Sequence, residues 1–140
     1  MTAPLTLHAT TVAFDGCAVL LTGASGRGKS SLALQLMAIG AQLVADDQTV
    51  LNLQSGQITA SCPPPLAGLI EARGLGLLNA PYLPQARLCL VVDLDHTEAD
   101  RLPDHRQITL LGQRLSLVYG NNSAHFPSSL KYYVLFGRRE

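Results

Sequence analysis

The chain contains few charged residues, and this scarcity limits the partners that it can have. Only 14% of its 140 residues are charged, against about 25% in an average globular domain. We therefore expect neighbouring subunits of a homo-oligomer to cover part of its surface. The 10 basic residues balance the 10 acidic ones, and neither sign forms a run. This balance argues against a nucleic-acid partner.

Cysteine is also scarce, and the chain has no targeting segment that we recognise. Cys17, Cys62 and Cys89 are odd in number and lie on separate apolar segments. Such a pattern favours buried free thiols in a reducing cytosol over a disulfide framework or a zinc site. No segment resembles a signal peptide or is apolar over a membrane-spanning length. We therefore predict a cytoplasmic protein with no membrane partner and one domain over residues 1–140.

The most informative stretch runs from Cys17 to Gly40. The apolar run 17–21 predicts a buried strand, and the apolar spacing beyond Lys29 predicts a helix that ends near Gly40. Between them lies a complete G-x-x-x-x-G-K-[ST] phosphate loop. The residues predicted to contact a nucleotide are Gly23, Ala24, Ser25, Gly26, Arg27, Gly28, Lys29, Ser30 and Ser31.

The residue types in this loop fit the chemistry of a triphosphate. Glycines allow the backbone N–H groups and the helix N-terminus to face anionic oxygens. Lys29 would add positive charge at the β- and γ-phosphates, and the Ser30 hydroxyl would be a ligand of Mg²⁺. The alternative is a Gly/Ser-rich turn that happens to contain a lysine. Because a strand and a helix flank the loop in the required order, we predict that it binds a nucleotide together with Mg²⁺.

The remaining pattern predicts an α/β domain with hairpins. Asp15-Gly16 is expected to turn one hairpin, and residues 54–56 are expected to join a second. A helical turn is expected between the proline run 63–65 and Glu71, and Ser128 is expected to cap a C-terminal helix. One strand or a pair of strands is predicted over residues 5–14, and further strands are predicted over residues 41–45, 49–53, 57–61, 87–95, 107–111 and 114–119.

The charged residues of the first two thirds of the chain are grouped. Only eight of the first 90 residues are charged: Asp15, Arg27, Lys29, Asp46, Asp47, Glu71, Arg73 and Arg87. The pair 46–47 follows a predicted strand, where carboxylates can position Mg²⁺ or accept a proton from an attacking hydroxyl. The alternative for this pair is an ordinary polar turn.

Three motifs in order resemble the catalytic domain of HPr kinase/phosphorylase. They are the phosphate loop, the segment 43–47 with sequence Leu-Val-Ala-Asp-Asp, and the segment 71–76 with sequence Glu-Ala-Arg-Gly-Leu-Gly. The resemblance covers roughly residues 7–103. It implies a P-loop kinase domain with a mixed β-sheet, similar to phosphoenolpyruvate carboxykinase. It also implies ATP-dependent phosphorylation of a serine on HPr, a phosphocarrier protein of the sugar phosphotransferase system, or on a paralogue.

The resemblance also implies roles for individual residues. Asp47 would accept the serine proton with Asp46 beside it, and Arg101 would steady charge on the phosphoryl group. Without the resemblance, His8 would be interpreted as a structural strand histidine and Arg101 as a surface residue. The implied catalytic set is His8, Lys29, Asp46, Asp47, Arg73 and Arg101. The implied magnesium ligands are Ser30 and Glu71.

The sequence departs from the family pattern at three places. The separate N-terminal domain has no counterpart, so we expect a short form that consists of the catalytic domain only. Ser31 replaces the usual glutamate after the loop serine. The C-terminal Pro-Gly-Arg-Asn motif, which is tied to dephosphorylation, has no clean counterpart in residues 115–122, where Gly120-Asn121-Asn122 is at best a remnant. The resemblance thus predicts the kinase reaction and a hexameric assembly, and it leaves the phosphorylase reaction open.

Two other functions remain compatible with the sequence. A small-molecule kinase or general P-loop ATPase would share the loop but would not need residues 71–76. A non-catalytic ATP-sensing module would fit the divergent C-terminal segment, although a pure binder has no need of the carboxylates Asp46, Asp47 and Glu71.

Overall fold

A computed structural model of the chain describes residues 2–140, and eleven strands, two α-helices and one 3₁₀ turn lie within that range. The strands are β1 (Leu5–Leu7), β2 (Thr10–Phe14), β3 (Cys17–Thr22), β4 (Gln42–Ala45), β5 (Thr49–Gln54), β6 (Gln57–Ser61), β7 (Leu69–Ala72), β8 (Gly76–Asn79), β9 (Gln85–Thr97), β10 (Arg106–Leu110) and β11 (Gln113–Gly120). The helices are α1 (Lys29–Ala38) and α2 (Phe126–Phe136), and the 3₁₀ turn is Pro64–Leu66. Within residues 2–140, neither helix is long and apolar enough to cross a membrane.

Strand β9 is the centre of a nine-stranded mixed sheet. Seven strands follow the order β1-β5-β6-β9-β3-β2-β4, and β11 pairs with both β9 and β10. One edge of β9 runs parallel to β3, while its other edge pairs first with β6 and then, in parallel, with β11. Its apolar run over residues 88–92 is typical of a strand that is covered on both faces. The hairpin β7-β8 forms a separate small sheet.

Alternate residues of the central strands supply two apolar clusters, because successive side chains of a strand point to opposite faces. In β3, Val19 and Leu21 belong to one cluster and Leu20 to the other. Helices α1 and α2 contribute to the first cluster through Leu36 and Leu130, which are buried. Both clusters therefore hold β3 rigidly, and the carboxyl end of this strand leads directly into the phosphate loop.

Most of the predicted elements are confirmed. The predicted strand and helix that flank the phosphate loop are β3 and α1, and both predicted hairpins are present as β2-β3 and β5-β6. The strand predicted over 87–95 is longer, because β9 covers 13 residues. The α/β class with a mixed sheet is thus confirmed, while the similarity to phosphoenolpyruvate carboxykinase stays a prediction.

Three local predictions were wrong. The helical turn expected to reach Glu71 is restricted to Pro64–Leu66, and Glu71 itself lies in β7, because Leu69–Ala72 pairs with β8. Ser128 does not cap α2, since the helix begins at Phe126 and His125 occupies the cap position. The three cysteines are free, as predicted, but they are only partly buried.

Partial burial nevertheless changes the thiols. It raises the pKa of Cys62. Burial, together with the neighbouring Cys17, raises the pKa of Cys89 to about 12. Neither thiol is therefore suited to act as a nucleophile near neutral pH.

Candidate active site

The phosphate loop requires glycine where its backbone turns most sharply. Gly23 has φ 144°, and a Cβ there would lie 3.3 Å from the side chains of both Arg27 and Leu94. Gly28 has φ 89° and precedes the first residue of α1. Residues with a side chain are strained at such positive φ values. The loop can therefore hold its backbone close to an anion at the N-terminus of α1.

Lys29 is the buried cation of this loop. Lys29 is the first residue of α1 and is only 8% exposed. The Nζ atom donates a hydrogen bond to the Gly23 carbonyl oxygen at 2.6 Å. The ammonium group is thus held across the mouth of the loop, where a phosphate oxygen could replace the carbonyl as its partner.

A cavity of about 300 Å³ opens beside the loop, and we call it the first cavity. It brings together most of the residues predicted for the site, although they come from four separate parts of the sequence. Its walls are formed by His8, Thr10, Ser25, Gly26, Gly28, Lys29, Ser30, Ser31, Asp47, Glu71 and Arg73.

Asp46 lies behind the first cavity and ties four elements together. It is 6% exposed, and its Oδ1 atom accepts hydrogen bonds from Thr10 Oγ1 at 2.9 Å and Ser30 Oγ at 2.7 Å. Its Oδ2 atom accepts the backbone N–H of Glu71 at 2.9 Å. These bonds join β2, α1 and β7 to the end of β4. Through these three hydrogen bonds the buried carboxylate positions its neighbours.

Asp47 has the opposite environment, although it is the next residue. Its side chain is 60% exposed, and its Oδ1 atom lies 3.2 Å from His8 Nδ1. Its backbone has φ 70° and lies in a three-residue turn closed by the Gln48 N–H and the Asp46 carbonyl, at 2.8 Å. Non-glycine residues in this region cost about 1–3 kcal/mol and cluster at functional sites. The turn aims the Asp47 carboxylate into the first cavity.

His8 connects this carboxylate with the phosphate loop. It lies between β1 and β2, and its Nε2 atom is 3.5 Å from the Ser25 hydroxyl. The two ring nitrogens therefore face Asp47 on one side and the loop on the other. An imidazole in this position can orient a carboxylate that accepts a proton.

The oxygen donors at the mouth of the loop suit Mg²⁺. In phosphate-loop NTPases the ion is held by the loop Ser/Thr and by an Asp at a strand end. Ser30 and Asp46 occupy comparable positions here and are hydrogen-bonded to each other, and the Glu71 side chain lines the first cavity. Within residues 2–140 no three His, Cys, Asp or Glu side chains converge tightly enough to hold a metal alone. The Ser30, Asp46 and Glu71 oxygens would suit an ion that also takes ligands from substrate phosphates.

Asp95 is a site residue that the sequence analysis missed. Its Oδ1 atom accepts the Ala24 N–H at 3.0 Å and lies 3.3 Å from Arg27 Nε. It therefore fixes the phosphate loop from the end of β9. A carboxylate at the end of a strongly apolar strand was the available signal. The strand's register beside β3, which brings it to the loop, is not visible in the sequence.

A second cavity of about 340 Å³ lies on the other side of the loop. It is bounded by α1, by the ends of β9 and β11, and by the segment that leads into α2. The residues that line it are Arg27, Gly28, Ser31, Leu32, Gln35, Leu94, Thr97, Gly120, Asn121, Asn122, Ser123, Ala124, Phe126 and Pro127.

Five predicted site residues are not among those that line the first cavity: Gly23, Ala24, Arg27, Asp46 and Arg101. Asp46 lies behind that cavity, and Arg27 lines the second one. Gly23 and Ala24 act through their backbones, as acceptor for Lys29 and donor to Asp95. Arg101 lies in the loop between β9 and β10, where it is exposed. Its role on the phosphoryl group therefore stays a prediction.

Comparisons with known proteins agree with this geometry. Residues 1–110 match the profile of the HPr Serine kinase C-terminal domain. HPr kinase/phosphorylase from Bordetella petrii is 47% identical over 75 residues, which are 53% of this chain and 24% of the relative. The protein of that name from Burkholderia lata is 38% identical over 125 residues, which are 81% of this chain and 39% of the relative. The chain thus spans only 24 to 39% of the length of these curated relatives.

A solved structure supports the same relationship. The HPr(Ser) kinase/phosphatase from Coxiella burnetii matches with a TM-score of 0.79 and 25% identity. The match covers 93% of this chain and 88% of the other one. The similarity therefore extends over nearly the whole chain.

Proposed function

The chain belongs to the HPr serine kinase C-terminal domain family, and from this membership we infer that it is an ATP-dependent kinase. We propose that it transfers the γ-phosphoryl group of ATP to a serine of the phosphocarrier protein HPr or of a paralogue. The relatives that carry the name HPr kinase/phosphorylase support this substrate.

The proposal rests on the side chains that line the first cavity. Lys29 of the phosphate loop and the Asp47 carboxylate with its His8 partner line one cavity. A kinase needs a cation at the transferred phosphate and a base for the attacking hydroxyl in the same space. A protein that only binds nucleotide needs the cation and has no use for the base.

Each residue would have a separate task in the transfer. The serine oxygen of HPr attacks the γ-phosphorus, the bond to the leaving ADP oxygen breaks, and the serine proton passes to Asp47. His8 holds the Asp47 carboxylate through the contact at 3.2 Å. Lys29 leaves the Gly23 carbonyl and binds the β- and γ-phosphate oxygens. Arg73, which lines the cavity, can stabilise charge on the equatorial oxygens.

We further propose that Mg²⁺ binds with ATP. Ser30 and Glu71 would be its protein ligands, with Asp46 accepting the Ser30 hydrogen bond or joining the ion. When bound, the ion neutralises charge on the phosphates during transfer. Oxygen donors of this kind, combined with phosphate oxygens, are the set that Mg²⁺ prefers.

We also propose that the protein forms a homo-oligomer, a hexamer by resemblance to the family. Several large apolar side chains are exposed on this single chain, which fits surfaces that other subunits cover. The most exposed are Leu75, Leu77, Leu102, Tyr132 and Phe136. Static light scattering at micromolar concentration gives the mass, and a monomer would contradict the proposal. A cytoplasmic location, where free thiols such as these persist, belongs to the same proposal.

A phosphotransfer assay tests the activity. The protein is incubated with γ-labelled ATP, Mg²⁺ and the HPr proteins of its own source organism. Parallel reactions contain HPr variants in which alanine replaces the acceptor serine. We expect label on the unmodified carrier only. Consumption of ATP without labelled carrier would favour an ATPase or small-molecule kinase. ATP binding without turnover would favour a sensing module. Phosphorylated carrier in place of HPr measures dephosphorylation.

A further inference from the structure

We propose that the second cavity binds the nucleoside half of the nucleotide, the purine base with its ribose, while the phosphates lie on the loop. This inference rests on the proposed function, because it extends the same bound ATP beyond its phosphates. It also gives a role to the segment Gly120-Asn121-Asn122, which lines the second cavity and not the first.

The two cavities lie next to each other, on either side of the phosphate loop. Both cavities are lined by Gly28 and Ser31, so they meet at the phosphate loop. In phosphoryl transfer the attacking and leaving oxygens lie roughly in line, and the acceptor hydroxyl must reach the γ-phosphate from the side that holds Lys29 and Asp47. The nucleoside must therefore leave the loop on the other side, which is the side of the second cavity.

The topology of the sheet places the second cavity at an edge where ligands commonly bind. Strands β3, β9 and β11 are parallel, and Thr22 and Tyr119 both pair with Asp93. Their carboxyl ends therefore lie at one edge, where ligands of open α/β sheets bind. The phosphate loop follows β3, and the segment from Asn121 follows β11. The second cavity lies between these two segments.

The side chains that line the second cavity are mostly apolar or uncharged. Apolar surface comes from Leu32, Leu94, Phe126 and Pro127, and three amide side chains come from Gln35, Asn121 and Asn122. Arg27 is the one titratable side chain that lines the cavity within residues 2–140, and Asp95 pairs with it. Small-molecule sites commonly combine apolar walls with a few polar groups, and amides form paired hydrogen bonds with the N6/N7 edge of adenine. An uncharged heterocycle fits such walls better than further phosphate does.

The two asparagines are not equivalent. The Oδ1 atom of Asn121 accepts the Ser123 N–H at 2.7 Å and shapes the segment before α2. Asn122 makes no side-chain hydrogen bond within the described residues 2–140, so its amide is available to a ligand. Of the two asparagines, Asn122 is therefore the one whose amide can be removed with less effect on the backbone.

Calorimetric titration with two ligands separates the base from the phosphates. Mg·ATP contains both, whereas magnesium tripolyphosphate contains the phosphates alone. We expect wild-type protein to bind ATP at least about tenfold more tightly than tripolyphosphate. Asn122→Ala should weaken ATP binding about 3- to 12-fold, the usual worth of one hydrogen bond, and leave tripolyphosphate binding unchanged. Ala124→Trp, which fills the cavity, should weaken ATP binding further.

Asn52→Ala is the matched control, because Asn52 lies in β5, away from both cavities. It should leave the affinity for both ligands unchanged. If wild-type protein binds both ligands equally well, or if the variants weaken both equally, the base site is wrong and the kinase proposal stands. If wild-type protein binds neither ligand, the nucleotide site itself is wrong, and both proposals fail.

Discussion

The two cavities flank the same phosphate loop but differ in the charge of their walls. The first is lined by five titratable side chains: His8, Lys29, Asp47, Glu71 and Arg73. The second, within residues 2–140, is lined by Arg27 alone among titratable groups, together with amide, hydroxyl and apolar side chains. In a chain with only 14% charged residues, charge is thus concentrated on one side of the loop.

This difference indicates that the first cavity serves the reaction and the second serves binding. Charged groups are useful where charge moves during a reaction, because they stabilise it without reorganisation. Neutral amides and apolar walls contribute equally to the ground state and the transition state, so they change affinity more than rate. Substitutions in the first cavity should therefore lower turnover, and substitutions in the second should lower affinity.

The largest expected effect is that of Lys29→Met. The substitution removes the buried cation of the first cavity while it keeps the length and apolar stem of the side chain. Phosphotransfer to HPr should fall on the order of 10⁴-fold or more, because a cation on the transferred phosphate is worth that much in related transfers. ATP binding should also weaken. Circular dichroism should show an unchanged fold.

Lys131→Met is a matched control for this variant. Lys131 is the other lysine of the chain, and its Nζ atom also donates to a backbone carbonyl, that of Ile39 at 2.7 Å. It lies on α2 and lines neither cavity. Equal loss of activity in the two variants would indicate a general structural effect and contradict the role of Lys29.

Asp47→Asn should have the second-largest effect. Asparagine has nearly the same shape and tolerates the positive φ of this turn, but it cannot accept the serine proton. We expect transfer to fall about 10²- to 10⁴-fold with Mg·ATP affinity unchanged. Steady-state kinetics and calorimetry measure the two quantities separately.

The control for this change is Asp15→Asn, at the hairpin between β2 and β3, which is the opposite end of β3 from the phosphate loop. It should retain wild-type rates. If excess Mg²⁺ restored Asp47→Asn to nearly full activity, Asp47 would be a metal ligand, and the base would have to be another group, with Asp46 as the first candidate.

What could be predicted from the sequence was mostly local. The loop and its flanking strand and helix are contiguous, so the spacing of glycines, lysine and apolar residues determines them directly. The resemblance to HPr kinase/phosphorylase, which these motifs carried, is confirmed by the family match. The second cavity was not predicted, because its walls come from α1, β9 and residues 120–127, which meet only through the sheet.

The misses have the same cause. Glu71 lies in a strand because β7 pairs with β8 across a glycine-rich turn, and no apolar alternation marks either partner. The contrast between Asp46 and Asp47 was also invisible. Both follow the same strand, but Thr10 and Ser30 bind only the first carboxylate, and these residues are distant in sequence.

Asp46→Asn should affect stability more than any other substitution discussed. The amide oxygen can still accept from Thr10 and Ser30, but the amide NH₂ would then face the Glu71 N–H, and two donors would meet. A buried donor without an acceptor costs about 1–3 kcal/mol. Urea denaturation should show this loss in the free energy of unfolding, and Asp47→Asn should show little change. Equal stability of both variants would contradict the structural role of Asp46.

The smallest expected effect is that of Glu71→Gln, and it concerns Mg²⁺ alone. The Glu71 backbone N–H holds Asp46, and the substitution leaves that bond in place. Only the charge of the side chain in the first cavity changes. Loss of one anionic ligand should raise the Mg²⁺ concentration for half-maximal transfer about tenfold, while the rate at saturating Mg²⁺ should approach that of wild type. Glu140→Gln makes the same chemical change outside both cavities and should leave the Mg²⁺ dependence unaltered. A lowered rate that excess Mg²⁺ does not restore would show that Glu71 acts on the phosphoryl group or its acceptor and not on the ion.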